Sequence, residues 1–160
     1  MIQRIQSLFL LFAAVFSILL YFVLITQVTV ADGMETITYF RICHVKQLDP
    51  NGGFLLSKAF ILPAVLNLLL SFIPLVAIFL FRYRRWQSTL CRFLILLESA
   101  LIVSILFSFE QISGVKSLFS GNIKNYLIIL IPVLNIVLFF LAHRAILKDD
   151  KLIKSADRIR

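Results

Sequence analysis

The stretch AFILPAVLNLLLSFIPLVAIFLF, Ala59–Phe81, contains no Asp, Glu, Lys or Arg and is bounded by Lys58 and Arg82. As a helix rising 1.5 Å per residue it would extend about 35 Å, more than the roughly 30 Å hydrocarbon core of a bilayer. Two further gaps in the charge pattern run from Arg4 to Asp32 and from Lys124 to Arg144. A fourth apolar run, Phe93–Phe109, holds one acid, Glu98. Within the outer gaps, Leu8–Ile25 and Tyr126–Ala142 lie near the short end of the spanning range. Lipid offers backbone amides no partners, and these runs are too continuous for alternating barrel strands, so helical crossings are expected. The uncharged Ile5–Ala31 also exceeds the roughly 7–15-residue apolar core of a signal peptide, which reads as a retained helix.

Composition points the same way. Hydrophobic residues make up 61% of the 160, charged residues 15%, and Phe alone fills 16 positions. A soluble domain has about 45–50% apolar residues and about a quarter charged. The balance excludes a soluble enzyme, a disordered tail and a disulfide-rich secreted module. The expected fold is an all-α membrane protein of one domain, 1–160, built as an up-down four-transmembrane-helix bundle. Its helices are expected at about 5–30, 57–82, 89–110 and 124–148, the last continuing into a tail, 145–160.

Orientation follows from the basic residues flanking the spans. Arg4, Arg82, Arg84, Arg85, Arg92 and the tail from Arg144 to Arg160 place eleven basic residues on one side, against five on the other. Both termini are therefore expected in the cytoplasm. Tyr83 and Trp86 suit that interface and Tyr126 the opposite one. The net charge of +8 then reflects topology and contact of Arg82, Arg84, Arg85, Arg92, Arg144 and Arg158 with lipid headgroups or a partner, and not nucleic acid.

The first loop, about Thr26–Lys58, is long enough to fold. Thr26–Val30 and Glu35–Ile42 are rich in β-formers and flank Asp32-Gly33, a strong hairpin cue. Asp49–Gly53 reads as a turn. A small extracytoplasmic β-hairpin of two or three strands is expected, resting on the bundle. In the tail, Leu152, Ala156 and Ile159 have helical spacing, so a cytoplasmic C-terminal helix is expected, either solvated or docked.

Glu98 is the most informative side chain, because an acid inside a spanning helix is costly and marks a candidate site. Burial favours its uncharged form, which can donate a hydrogen bond. Asn67 and Asn135 fall within ~3–5 Å of its height by rise arithmetic. The three can form a polar layer that joins helices, a proton or ion path, or a subunit contact; alternatively Glu98 reaches towards a cytoplasmic Arg. Pro63, Pro74 and Pro132 interrupt the second and fourth helices. Small residues at four-residue spacing, Ala13 and Ser17, then Ala100, Ser104 and Ser108, are expected to be packing surfaces within the bundle or against another protein.

Catalytic patterns are missing: there is no P-loop, GxSxG or HExxH in the chain. Cys43 and Cys91 are expected on opposite sides, as are His44 and His143, so neither pair forms a redox or metal site. No cofactor or metal is expected. Cys43 could stay free or bridge to a partner.

The opening Met1–Gln6, MIQRIQ, and the ending Ala142–Arg160, AHRAILKDDKLIKSADRIR, resemble a Bacteroidota family of small four-helix inner-membrane proteins catalogued as a domain of unknown function. The resemblance implies a bacterial cytoplasmic membrane and four helices, and no activity. Its distinctive residues, among them Arg4, Arg144, Asp150, Ser155, Asp157 and Arg158, fall on the expected cytoplasmic side. The functional expectation is a non-enzymatic accessory or scaffolding subunit of a larger membrane complex, with the bilayer and other membrane proteins as partners. The rival expectation is a small proton-coupled transporter using Glu98, Asn67 and Asn135.

Overall fold

In the computed structural model, residues 3–31, 34–48, 53–80, 83–110 and 123–157 are described. The elements are α1 (Gln3–Leu20), β1 (Ile25–Ala31), β2 (Met34–Arg41), β3 (His44–Leu48), β4 (Phe54–Ala59), α2 (Ile61–Phe79), α3 (Arg84–Glu110) and α4 (Ile123–Asp157). Each helix packs on its sequence neighbours, and α4 closes the ring on α1. Hydrogen bonds give the directions. Gln87 near the start of α3 donates to the Ala77 carbonyl near the end of α2, at 3.2 Å, and Ser88 meets His143 of α4 at 3.2 Å. Gln6 at the start of α1 donates to the Asp149 carboxylate near the end of α4. Neighbouring helices therefore run antiparallel.

A shared spacing explains the ring. Buried residues recur alternately three and four apart: Gln6, Leu10, Ala13, Ser17 and Leu20 in α1, and Pro63, Asn67, Leu70, Pro74 and Ala77 in α2. In α3 they are Gln87, Cys91, Leu94, Glu98, Leu101, Ile105 and Ser108, and in α4 Ile128, Pro132, Asn135, Phe139, Ala142, Ile146 and Asp149. A 3.5-residue period keeps one seam facing the partner helix when antiparallel helices pack at a shallow angle. The polarity is inside out for a soluble protein. Asn67, Glu98 and Asn135 are fully buried, whereas Leu96 and Val103 are about two-thirds exposed. Three helices are long and apolar enough to cross a membrane, over Ile61–Phe79, Trp86–Ser108 and Tyr126–Asp150, and Ile5–Leu20 is a shorter apolar helix.

Several boundaries differ from expectation. The first helix stops at Leu20 instead of about 30, because Ile25–Ala31 pairs antiparallel with Met34–Arg41. The second begins at Ile61 instead of 57, because Phe54–Ala59 pairs with β3. Instead of a hairpin of two or three strands, the loop forms a four-stranded antiparallel meander, β1-β2-β3-β4. Asp32-Gly33 and 49–52 lie outside the described residues, although the pairing Ala31↔Met34 brackets the first. The third helix starts at Arg84, not 89, while the fourth continues through the tail to Asp157, as the helical spacing of the tail leads one to expect. Polar residues beyond the apolar run do not end a helix, since Arg, Gln and Lys are good helix formers.

The sheet joins the bundle through one hydrophobic cluster. Phe40, Ile42, Val45 and Phe60 are buried and continuous with Leu10, Leu20 and Leu70. Phe60, just before α2, donates its backbone N–H to the Cys43 carbonyl at 2.9 Å, and its ring lies 6.0 Å from that of Phe40. Gln47 donates to Thr38 Oγ1 at 3.3 Å across the β2–β3 pair.

Candidate functional site

Each of the four helices contributes one polar side chain to a layer inside the bundle. Asn135 Nδ2 of α4 donates to Ser17 Oγ of α1 at 3.1 Å and to Glu98 Oε1 of α3 at 3.2 Å. Asn67 Nδ2 of α2 donates to the Ser17 backbone carbonyl at 3.0 Å. Ser17 Oγ donates back along its own helix to the Ala13 carbonyl at 3.0 Å. All four residues have zero exposure. The structure thus brings together the three residues expected as a layer, and Ser17, expected only as a packing residue, is the link between them.

Rise arithmetic along α3 gives the height of this layer. Glu98 stands fourteen residues from the first residue of the helix and twelve from its last, so it is near the middle, not the end. Helix α3 starts earlier than expected, and Arg84 and Arg85 in its first turn stand about 20 Å from Glu98 along the axis. Just past α1, the Tyr21 hydroxyl donates to the Ala64 carbonyl at 3.0 Å and is hydrogen-bonded to Asn67. Ser71 donates to the Asn67 carbonyl at 2.9 Å.

A second polar band, missed in the sequence, lies towards the chain ends. It comprises the Gln6–Asp149 pair and Gln87 with the Ala77 carbonyl. Gln6 and Asp149 are nearly buried although both sit in charged terminal stretches. The available signal was register. Gln6 precedes Ser17 on one 3.5-residue seam, and Asp149 follows Asn135 by fourteen residues on another.

Of the small residues, Ala13, Ser17, Ser104 and Ser108 are buried in the bundle, whereas Ala100 is exposed. Two residues past Glu98, Ala100 is turned about 200° around the helix, so any packing role for it lies outside the bundle. Pro74 and Pro132 sit within α2 and α4 on their buried seams. Pro63 falls in the first turn of α2, where a missing N–H costs no helical bond.

Arg92 and Arg144 are exposed, and Arg144 stacks over Phe140 at 5.7 Å. Arg144, Ala145, Leu147 and Lys148 line an open groove. Arg84 and Arg85 open α3, while Arg82 and Arg158 lie outside the described residues. Cys43 and Cys91 are free thiols, and no group of three or more metal-ligating side chains occurs among the described residues.

No curated protein and no solved structure matches the chain. A family model described as a domain of unknown function, DUF4293, matches residues 2–159, and with nearly its whole length covered the chain belongs to that family.

Proposed function

We propose that this protein is a non-enzymatic integral protein of the bacterial inner membrane, a four-pass bundle with both termini in the cytoplasm, acting as an accessory or scaffolding subunit of a larger membrane complex. The observation that carries this reading is the unequal height of the helices. From the polar layer towards the sheet, α1 ends three residues beyond Ser17 and α2 begins six residues before Asn67. Those distances are about 5 and 9 Å along the axes. In the same direction α3 and α4 extend twelve residues beyond Glu98 and Asn135, about 18 Å.

The Gln6 and Gln87 band lies eleven residues the other way, about 17 Å. With that band at the inner boundary of a roughly 30 Å core, the outer boundary falls about 13 Å beyond the polar layer. Tyr21–Leu24, which is non-helical, then begins about 8 Å inside the hydrocarbon. Irregular backbone at that depth needs a covering of protein or a water-filled cavity. Helix α4 touches β1 on one side, and on another Phe22 is 74% exposed. A membrane-embedded partner seated over this step supplies the missing cover.

The test is a photo-crosslinking residue at Phe22, activated in native membranes. A discrete protein adduct is expected, together with extraction into mild detergent as a particle larger than the monomer. Adducts to lipid alone and a lone monomer on extraction would overturn the reading. The rival, a proton-coupled carrier, draws support from the polar layer and from Pro74 and Pro132. Its test is ion flux in liposomes, abolished by Glu98→Gln with the fold intact.

A further inference from the structure

Three oxygens at the centre of the bundle, Asn67 Oδ1, Glu98 Oε2 and Asn135 Oδ1, have no hydrogen-bond partner, and their residues have zero exposure. The neighbouring donors are committed elsewhere. Asn67 Nδ2 serves the Ser17 carbonyl, Asn135 Nδ2 is divided between Ser17 Oγ and Glu98 Oε1, and Ser17 and Tyr21 donate to backbone carbonyls. Unpaired acceptors so deep are rare in native proteins and point to an unseen proton, water or ion.

The side chains joined to Glu98 through this network are Asn135 of α4 directly and, beyond it, Ser17 of α1 and Asn67 of α2. None of them is cationic. A carboxylate there would be an uncompensated charge in a low-dielectric interior, which is strongly disfavoured.

We propose that the layer is a proton-holding site: Glu98 carries a proton taken from solvent and, with one buried water, completes the hydrogen bonding of all three oxygens. The acid O–H on Oε2 donates to the water, and the water donates its two hydrogens to Asn67 Oδ1 and Asn135 Oδ1. The count closes with no hydrogen over and no acceptor left bare, and three bonds are what a buried water usually makes. This goes beyond scaffolding, because it places an exchangeable proton mid-bundle, held by side chains from three helices, and it stands whether or not a partner covers the sheet.

Infrared spectroscopy of the full chain in lipid nanodiscs at neutral pH tests it, in H2O and in D2O. The expected result is a carboxylic-acid C=O band that shifts in D2O, persists in Asp149→Asn and is lost in Glu98→Gln. Should Glu98→Gln fail to fold, wild type carrying 13C-labelled glutamate replaces it, and the same band must move. Absence of an acid band, or a band insensitive to both changes, would overturn the proposal. Replacing sodium chloride with choline chloride should leave the wild-type Tm unchanged. A sodium-dependent rise in Tm that Glu98→Gln abolishes would show a metal cation in place of the proton, and would also overturn it.

Discussion

Asn135 is the residue on which the interior depends most, because its amide nitrogen serves two helices at once. Asn135→Leu removes both bonds and strands Glu98 Oε1. A hydrogen bond between membrane helices averages about 0.6 kcal/mol and a stranded buried acceptor costs about 1–3. The expected loss is about 2–3 kcal/mol in reversible unfolding in mixed micelles. Asn67→Leu breaks the bonds to the Ser17 carbonyl and to Tyr21 but leaves the Asn135–Glu98 bond in place, so its loss should be smaller, about 1 kcal/mol. A larger loss for Asn67→Leu would mean that the layer is organised around α2 instead.

Glu98 and the two asparagines stood out in the sequence because uncharged runs make any strongly polar residue conspicuous. Ser17 did not, since a serine in an apolar helix looks the same whether it packs or bridges. Cys43 gives a residue-scale pH test. Burial pushes its thiol up, and the nearby Arg41 pulls back only in part. The thiolate is the reactive form, so iodoacetamide should modify Cys43 more slowly in the folded protein than in the unfolded chain. The gap should narrow as pH climbs past the folded-state value. Linkage has the same sign: the protonated thiol favours the fold at lower pH, and that contribution disappears as pH rises. Cys91, with zero exposure, should react only on unfolding.

At the scale of elements, the end of α1 and the start of α2 were misread for a physical reason. Thr26–Val30 carries a hairpin cue and is also part of an uncharged run continuous with the first helix, and hydropathy alone does not say where helix gives way to strand. Pairing of Ile25–Ala31 with Met34–Arg41 decides it, and that is information held by a second segment. The apolar helices were legible because long uncharged runs stand out in the sequence, and three of them are long and apolar enough to cross a membrane.

The α1–α4 seam was not legible, since Gln6 and Asp149 look like ordinary terminal polar residues until the helices are in register. Hydrogen bonds to charged groups contribute about 1.5–3 kcal/mol. Gln6→Ala is expected to speed amide hydrogen exchange over Gln3–Leu10, while the layer around Ser17 stays protected. Asp149 has further partners besides Gln6, so Asp149→Ala should cost more than Gln6→Ala, with a coupling of about 1–2 kcal/mol in a double-mutant cycle. Equal, additive losses would mean that the short contact between them does not hold the seam.

For the whole molecule, the two native cysteines make orientation measurable without altering the chain. Cys43 is half-buried at the β2–β3 turn, on the sheet end of the bundle. The basic cluster Arg84–Arg85 and the end of α4 lie at the other end, fixed there by the Gln6–Asp149 and Ser88–His143 contacts. If the cationic end faces the cytoplasm, a membrane-impermeant maleimide applied to spheroplasts should label Cys43. A tag following Arg160 should resist external protease until the membrane is breached. An even number of crossings requires both ends of the chain on one side, so a tag before Met1 should be protected equally. Protection of one terminus alone would contradict the Gln6–Asp149 contact, which holds the start of α1 beside the end of α4, and with it the four-pass reading.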